Sequence, residues 1–455
     1  MFDKYLDFYI LKMDSIKLIE NTIEENIPNK INKEVERYKD AILMDLYFDQ
    51  LLSGEPDKEI EEYVKKYIVI NEFNPEEKKI NYKFIRKGDK LNKYKNIEES
   101  RKAVSKGFFT MRTMYNNLLV SILIEFENIV TGLFKELIIK IPDAYLNNTS
   151  ISYAKIIKSQ DIAEIKNTII SNEVDSIMRE NIFTWIKELE NKHGIEISLE
   201  NEYTRNFIEA YFRRNIIVHN DSKINHDYIN GMKKIKRTIS EESIGKKVLC
   251  TKKYIDKVIE SSIYFVIYIM NQMLKVFKEE NENFTNAILN MGFEKIKSEE
   301  YSLAREIFRL LKDNKTLDQQ TKIYSLINFW QTYKWNNKYE EVEKEINDFD
   351  ISAYEELIKL AIYALRDEYD SIEQILNNEF NDEKQNEDLA IELEDFPIFK
   401  EVRKQQFYIN LKEKYADVFA IKSALIDEES EGERKEIVKN SKGKFQVTMS
   451  IKNEE

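Results

Sequence analysis

The sequence predicts an all-α protein, and three observations carry that prediction. Only 10 Gly and 5 Pro punctuate 455 residues, so long helices joined by short polar links are expected. Apolar residues return at spacings of three and four over most of the chain, the stripe of amphipathic helices. From about residue 284 a pattern of large and small residues repeats, as in stacked helix pairs. A composition of 42% hydrophobic and 34% charged residues belongs to a folded, strongly charged globular chain. The length allows two to four domains.

Residues 1–104 read as an N-terminal helical region with one short strand. Phe2, Tyr5, Leu6, Tyr9, Ile10 and Met13 recur at helical spacing, as do Leu43, Met44, Tyr47 and Leu51. Gly54-Glu55-Pro56 breaks that pattern, and Lys79-Ile80-Asn81-Tyr82-Lys83-Phe84-Ile85 alternates as a strand does. A domain boundary is expected near residue 100. Residues 105–280 read as a bundle of four or more helices. One runs from Phe108 to about Ile141, ahead of Pro142, with Leu118, Leu119, Ile122, Phe126 and Val130 in its stripe. A helical pair over 159–192, a helix over 201–218 and another over 254–277 complete the bundle.

Residues 281–428 read as a helical repeat array. Gly292, Tyr301, Ala304 and Phe308 stand at tetratricopeptide offsets. Gly and Ala are small where the two helices of such a hairpin cross, and Tyr and Phe fill the gaps around them. The same frame picks out Trp330, Tyr339, Val342 and Ile346, then Leu360, Tyr369, Ile372 and Leu376, which keep the large residues without the small ones. Phe396-Pro397-Ile398-Phe399 and Phe407 would cap the stack. Residues 338–395 hold 20 acidic and 5 basic side chains, so a basic partner would suit this arm. Residues 429–455 form a polar tail, expected to be mobile.

The net charge of -13 gives no global pull toward nucleic acid, so any such contact needs a local patch. The single cysteine, Cys250, excludes an intramolecular disulfide and a cysteine-built zinc site. The N-terminus lacks an apolar segment of signal-peptide length. The most apolar runs, 118–137 and 259–270, are interrupted by charge or too short for a bilayer. A cytoplasmic chain with no membrane association is the expectation.

The chemistry concentrates in Tyr211-Phe212-Arg213-Arg214-Asn215-Ile216-Ile217-Val218-His219-Asn220. Asn215 and His219 are four apart, hence on one helix face. Arg214 lies about 140° round an ideal helix from His219. It therefore shares a site with His219 only through its long side chain, a local break or a second subunit. The competing reading makes Arg213 and Arg214 surface cations and His219 a helix-end residue.

These residues resemble the signature of the HEPN superfamily: an Arg, a polar residue, and a His four to six positions beyond the Arg. Arg213 gives the five-residue spacing and Arg214 the four-residue one; the register stays open, with Arg214 the first choice. The resemblance covers about residues 105–280 and implies a HEPN-type bundle. Members of that superfamily are often metal-independent ribonucleases. It therefore implies an endoribonuclease that attacks with the ribose 2′-OH and leaves 2′,3′-cyclic phosphate ends on single-stranded or looped RNA. Catalysis would fall to Arg214, Asn215 and His219, with Arg213 and Asn220 as further catalytic or phosphate-binding candidates. A His can act as base or acid near neutral pH and an Arg can grip a phosphate through two hydrogen bonds. One His cannot start a turnover in both protonation states, so a homodimer with two copies of the motif in one cleft is expected. A toxin or antiviral role follows by family analogy alone.

Downstream, residues 232–257 hold nine basic and three acidic side chains. Lys233, Lys234, Lys236, Arg237, Lys246, Lys247, Lys252 and Lys253 are candidates for following an RNA backbone; a solvated loop is the alternative. His219, Asp221, His226 and Asp227 match no closed metal pattern, and His193 before Gly194 reads as a helix end. No cofactor is called for. The expected partners are RNA, a second copy of the bundle, and a protein on the repeat arm. Two other functions fit the same residues: a helical adaptor that grips RNA without cutting it, or the inhibited half of a two-protein system.

Overall fold

A computed structural model describes residues 2–419, except 38, 54–56, 75–76, 78, 86, 148–149, 151, 160, 279–280, 315–316 and 382–385. The expected break at 54–56 and the polar tail at 429–455 lie outside the described residues. The protein is 77% helix and 4% strand, which makes it all-α with one small hairpin. It divides between residues 279 and 280 into two compact units.

The first unit contains α1 (Phe2–Arg37), α2 (Lys39–Ser53), α3 (Lys58–Lys65), β1 (Ile68–Asn74), β2 (Lys79–Phe84) and α4 (Lys87–Lys140). It continues through α5 (Asp143–Leu146), α6 (Tyr153–Lys158), α7 (Ile162–Met178) and α8 (Ile182–His193) to α9 (Glu202–His219), α10 (His226–Lys234) and α11 (Lys252–Phe277). The axis of the unit is α4, 54 residues long. It packs against α1, α2, α7, α9 and α11. The core between these helices is apolar: Leu6 and Met13, Leu119, Ile122 and Leu137, Phe207 and Ile208, and Val258, Val266 and Met270 are all fully buried. Three rings from three helices lock its centre, with Phe126 4.4 Å from Phe207 and Phe265 5.3 Å from Phe207, centroid to centroid. An 18-residue window of α4 is apolar enough to cross a membrane by length and composition. That stretch is the core helix of the unit.

Two expectations for this unit need correction. One strand was expected in this region, at residues 79–85, yet Ile68–Asn74 is a strand as well, paired antiparallel with the Lys79–Phe84 strand. The β-branched run Ile68-Val69-Ile70 favours extended backbone, and one strand of a hairpin cannot satisfy its amides without the other. Their hairpin and the helices before it share a small core of Met44, Tyr47, Val64 and Ile68. The boundary expected near residue 100 falls inside α4, which begins at Lys87 rather than Phe108. Residues 1–104 and 105–280 therefore belong to one unit, with α1 laid along α4 and α11.

The second unit is a run of helices, α12 (Glu282–Lys297), α13 (Tyr301–Lys312), α14 (Gln319–Trp335), the short α15 (Glu343–Asn347), α16 (Glu356–Arg366) and α17 (Tyr369–Glu379), in which α13 packs on both α12 and α14 and α17 packs on α16. Then come α18 (Glu387–Asp395) and α19 (Gln406–Lys414). The close crossing anticipated at Gly292 is present. A Cβ built there would stand 2.6 Å from the Phe308 ring, and Ala304 is fully buried beside it in sequence, one turn before Phe308. Trp330, Ile346, Leu360, Ile372, Leu376 and Phe399 are buried too. Helices of this run are tied by cations on helix ends: Lys334 Nζ donates to the carbonyls of Ala364 (2.8 Å) and Leu365 (2.9 Å), which α16 leaves unpaired at its C-terminus.

Candidate functional site

The site begins with the way α9 emerges from the core. Asn201 caps its start, accepting from the Thr204 amide at 3.2 Å. From Thr204 to Tyr211 nearly every residue is buried against α4, α10 and α11. Beyond Tyr211 the helix surfaces, and Asn215, Val218 and His219 are exposed. The motif thus occupies the segment of α9 where buried helix becomes surface.

The two arginines part company there. Arg213 turns into the protein. Its Nε donates to Glu209 Oε1 at 2.8 Å, its Nη1 donates to the Leu249 carbonyl at 2.9 Å, and its guanidinium lies 3.7 Å from the centre of the Tyr254 ring. Glu209 is itself buried and accepts the Tyr228 hydroxyl (2.6 Å) and the Tyr254 hydroxyl (2.7 Å). This is a closed polar network joining α9, α10 and α11. Burial also pushes the thiol of Cys250, beside Arg213, up to about 12.

Arg214 turns the other way, across α4. Its Nη2 donates to Glu127 Oε1 at 3.2 Å, while its Nε is buried with no hydrogen-bond partner. It lines a cavity of about 910 Å³ together with Glu127, Tyr211, Asn215, Lys233 and Lys234, and with the turn and helix start Arg179–Phe183. Arg214 and Asn215 are therefore brought together, and Arg213 is kept apart from them.

His219 is not among the residues of that cavity. It is exposed in the last turn of α9. Among the described residues none hydrogen-bonds its ring, and Asn215, one turn earlier, does not orient it. Its backbone is held firmly nonetheless. The amides of Asn220 and Ser222 both donate to the Ile216 carbonyl at 2.9 Å. Asp221 and Ser222 take left-handed conformations, φ 48° and 60°, which cost residues with a Cβ about 1–2 kcal/mol each. Arg112 of α4 offsets that strain by donating to the Ser222 hydroxyl at 3.0 Å and the Asp221 carbonyl at 3.3 Å. The Asn220 side chain donates to the Lys223 carbonyl at 2.7 Å, which makes it a turn residue. The Lys247 ammonium on Asp221 (2.8 Å), with Lys223 and Arg112 nearby, holds the Asp221 carboxyl below its usual range.

The downstream basic residues do not form one track. Lys233 and Lys234 line the cavity. Lys236 pairs with Glu200 and Arg237 with Asn206; Lys247 pairs with Asp221 and Lys252 with Glu20 and Asp256. Lys246 and Lys253 are exposed in the segment before and the first turn of α11. His226 is exposed at the start of α10. Among the described residues no three His, Cys, Asp or Glu side chains converge as a metal-binding group. His193 ends α8 and its Nε2 hydrogen-bonds the Tyr145 hydroxyl at 2.6 Å.

Sequence reasoning missed Glu127, Glu209, Phe183 and Arg112. One of them left a readable signal. Glu209 stands four residues before Arg213, the spacing of an opposite-charge helix pair, while Ala210 occupies that position for Arg214. That asymmetry gives Arg213, and not Arg214, an acidic partner on its own helix. The chain matches no protein-family model, no curated protein and no solved structure.

Proposed function

We propose that the protein is an endoribonuclease of the metal-independent kind. It would cut RNA by attack of the ribose 2′-OH on the adjacent phosphorus, at a site shared between two copies of the chain. One His219 takes the 2′-hydroxyl proton, His219 of the second copy donates a proton to the departing 5′-oxygen, and Arg214 steadies the charge on the phosphate. Asn215 lies beside Arg214 as a neutral hydrogen-bonding group for the same phosphate. The products are a 2′,3′-cyclic phosphate and a free 5′-hydroxyl. The acidic repeat unit is a regulatory arm, and the cellular role is that of a toxin or antiviral effector acting on RNA.

One observation carries this reading. Arg214 enters an open cavity with a buried Nε that has no partner, while His219 stands exposed in the last turn of α9, outside that cavity. A cation without its acid–base partner in one chain is what a shared site requires. The Glu127 carboxylate, 3.2 Å from Arg214, keeps the guanidinium in place until a phosphate competes for it.

The purified protein should nick single-stranded RNA in EDTA and leave cyclic phosphate ends. His219→Ala and Arg214→Ala should lower the rate at least a hundredfold, about the scale of losing a general acid or base, with fold retained. Undiminished cleavage by His219→Ala would overturn the assignment. The absence of a histidine from the cavity favours one other reading, an adaptor that grips RNA without cutting. RNA binding with no cleavage by the wild-type chain would select it.

A further inference from the structure

The cavity beside Arg214 is larger than a phosphate site needs. At about 910 Å³ it stands near the upper end of small-ligand pockets, which run from roughly 300 to 1,000 Å³. One wall is aromatic. The rings of Phe183 and Phe212 lie 5.8 Å apart at 41°, and Trp185, 4% exposed, lines the same cavity. Gly231 of α10 makes that wall possible, because a Cβ there would stand 2.4 Å from Phe212 Cε1. Charge of both signs lines the rest: Arg179, Arg214, Lys233 and Lys234 stand against Glu127, Glu180 and Asp227, and cations are in excess by one. Tyr211 lines it as well; the residue is 5% exposed and its buried hydroxyl has no hydrogen-bond partner.

We infer that this cavity holds one unstacked nucleotide of a single-stranded RNA, with its base on the Phe183 ring and its phosphate among Arg214, Lys233 and Lys234. The inference rests on the RNA reading of the same site and deepens it by naming where a base is received. An aromatic face, a cluster of cations and a neutral amide, Asn230, are the three surfaces a nucleotide offers partners to: base face, phosphate and base edge. Lys234 Nζ lies 5.2 Å from the centre of the Phe183 ring. A nucleotide exchanges that single contact for two, the base taking the ring and the phosphate taking the ammonium. A base paired within a duplex cannot present its face to Phe183, so the pocket selects single strands.

The test uses the full chain carrying His219→Ala, so that binding is read without cleavage, in EDTA, by fluorescence anisotropy of a labelled RNA 10-mer. The single strand should bind at least tenfold more tightly than the same sequence annealed to its complement. Phe183→Ala and Lys234→Ala should each weaken single-strand binding about tenfold or more, on the scale of losing one stacked base, and Phe183→Trp should retain it. Equal binding of strand and duplex would overturn the inference, as would Phe183→Ala and Lys234→Ala proteins that bind like their parent. The two readings fail separately. If pocket-dependent binding holds but the wild-type chain never cuts, the catalytic assignment falls and the pocket stands. If the wild-type chain cuts and the pocket variants bind and cut at the same positions, the pocket falls and the catalysis stands.

Discussion

Two adjacent arginines on one helix do different work because their neighbours differ. Arg213 is 15% exposed and its partner Glu209 is 6% exposed. Removing one member of such a pair leaves a buried charge, at a cost of about 3–5 kcal/mol. Arg214 and Glu127 are about one-third exposed, where a pair contributes only about 0–1 kcal/mol. Arg213→Ala should therefore lower the urea midpoint strongly, and Arg214→Ala should leave it almost unchanged. If Arg214→Ala is the more destabilising of the two, the division into a structural and a site arginine is wrong. The pair Arg213–Glu209 also makes Arg213 a poor phosphate ligand, since its hydrogen-bonding capacity is already directed at Glu209 and the Leu249 carbonyl.

At the scale of elements, close approach is set by missing side chains. The crossing of α12 and α13 depends on Gly292, over which the Phe308 ring lies. Gly292→Ala should destabilise the second unit by about 1–3 kcal/mol, the usual cost of overpacking. Trimming the ring in Gly292→Ala/Phe308→Leu should recover part of that loss, because the two positions share one contact. Thermal unfolding of the single and double variants measures both; purely additive losses would deny the contact. The turn after α9 shows the other device. There the strain at Asp221 and Ser222 is offset from outside by Arg112, so the position of His219 depends on α4 as much as on its own helix.

At the scale of the whole first unit, a buried acid, Glu20, stands where α1 meets α11. Glu20 is fully buried, accepts from Lys252 Nζ at 3.2 Å through one oxygen, and leaves the other unpartnered. Burial, and then the neighbouring Asp256, raise its carboxyl from 4.5 to about 7. Between those two values the folded chain holds a proton that the unfolded chain has released. Stability from this group therefore falls as pH rises from about 4.5 to about 7 and is flat above. Glu20→Gln, which cannot ionise, should gain on the wild-type protein at pH 8 and lose that advantage at pH 5. Melting curves at the two pH values check this. A larger advantage at pH 5 would reverse the sign.

How much of this was legible in the chain follows from what is local. Helical periodicity marked α1, α7, α8, α9 and α11, because a 3.6-residue stripe is a property of the segment itself. Gly292 and Phe308 announced their crossing because a residue without a side chain, set near a large ring in the next helix, marks a close approach. Cohesion is not local, and so the boundary near residue 100 was misplaced: α4 continues through it, and the packing of α1 along α4 and α11 and of α2 along α4 joins the N-terminal region to the bundle. Strand β1 was missed for the same reason, since a strand exists through its partner. At the candidate site the sequence determined that Arg213, Arg214, Asn215 and His219 share one helix end, a matter of covalent order and helical pitch. Only the tertiary structure decided which arginine faces the core and which the cavity. It also supplied Phe183, Glu127 and Arg112, which lie 31 to 107 positions from His219 or Arg214 in the numbering and come near the motif only when α4, α8 and α9 pack.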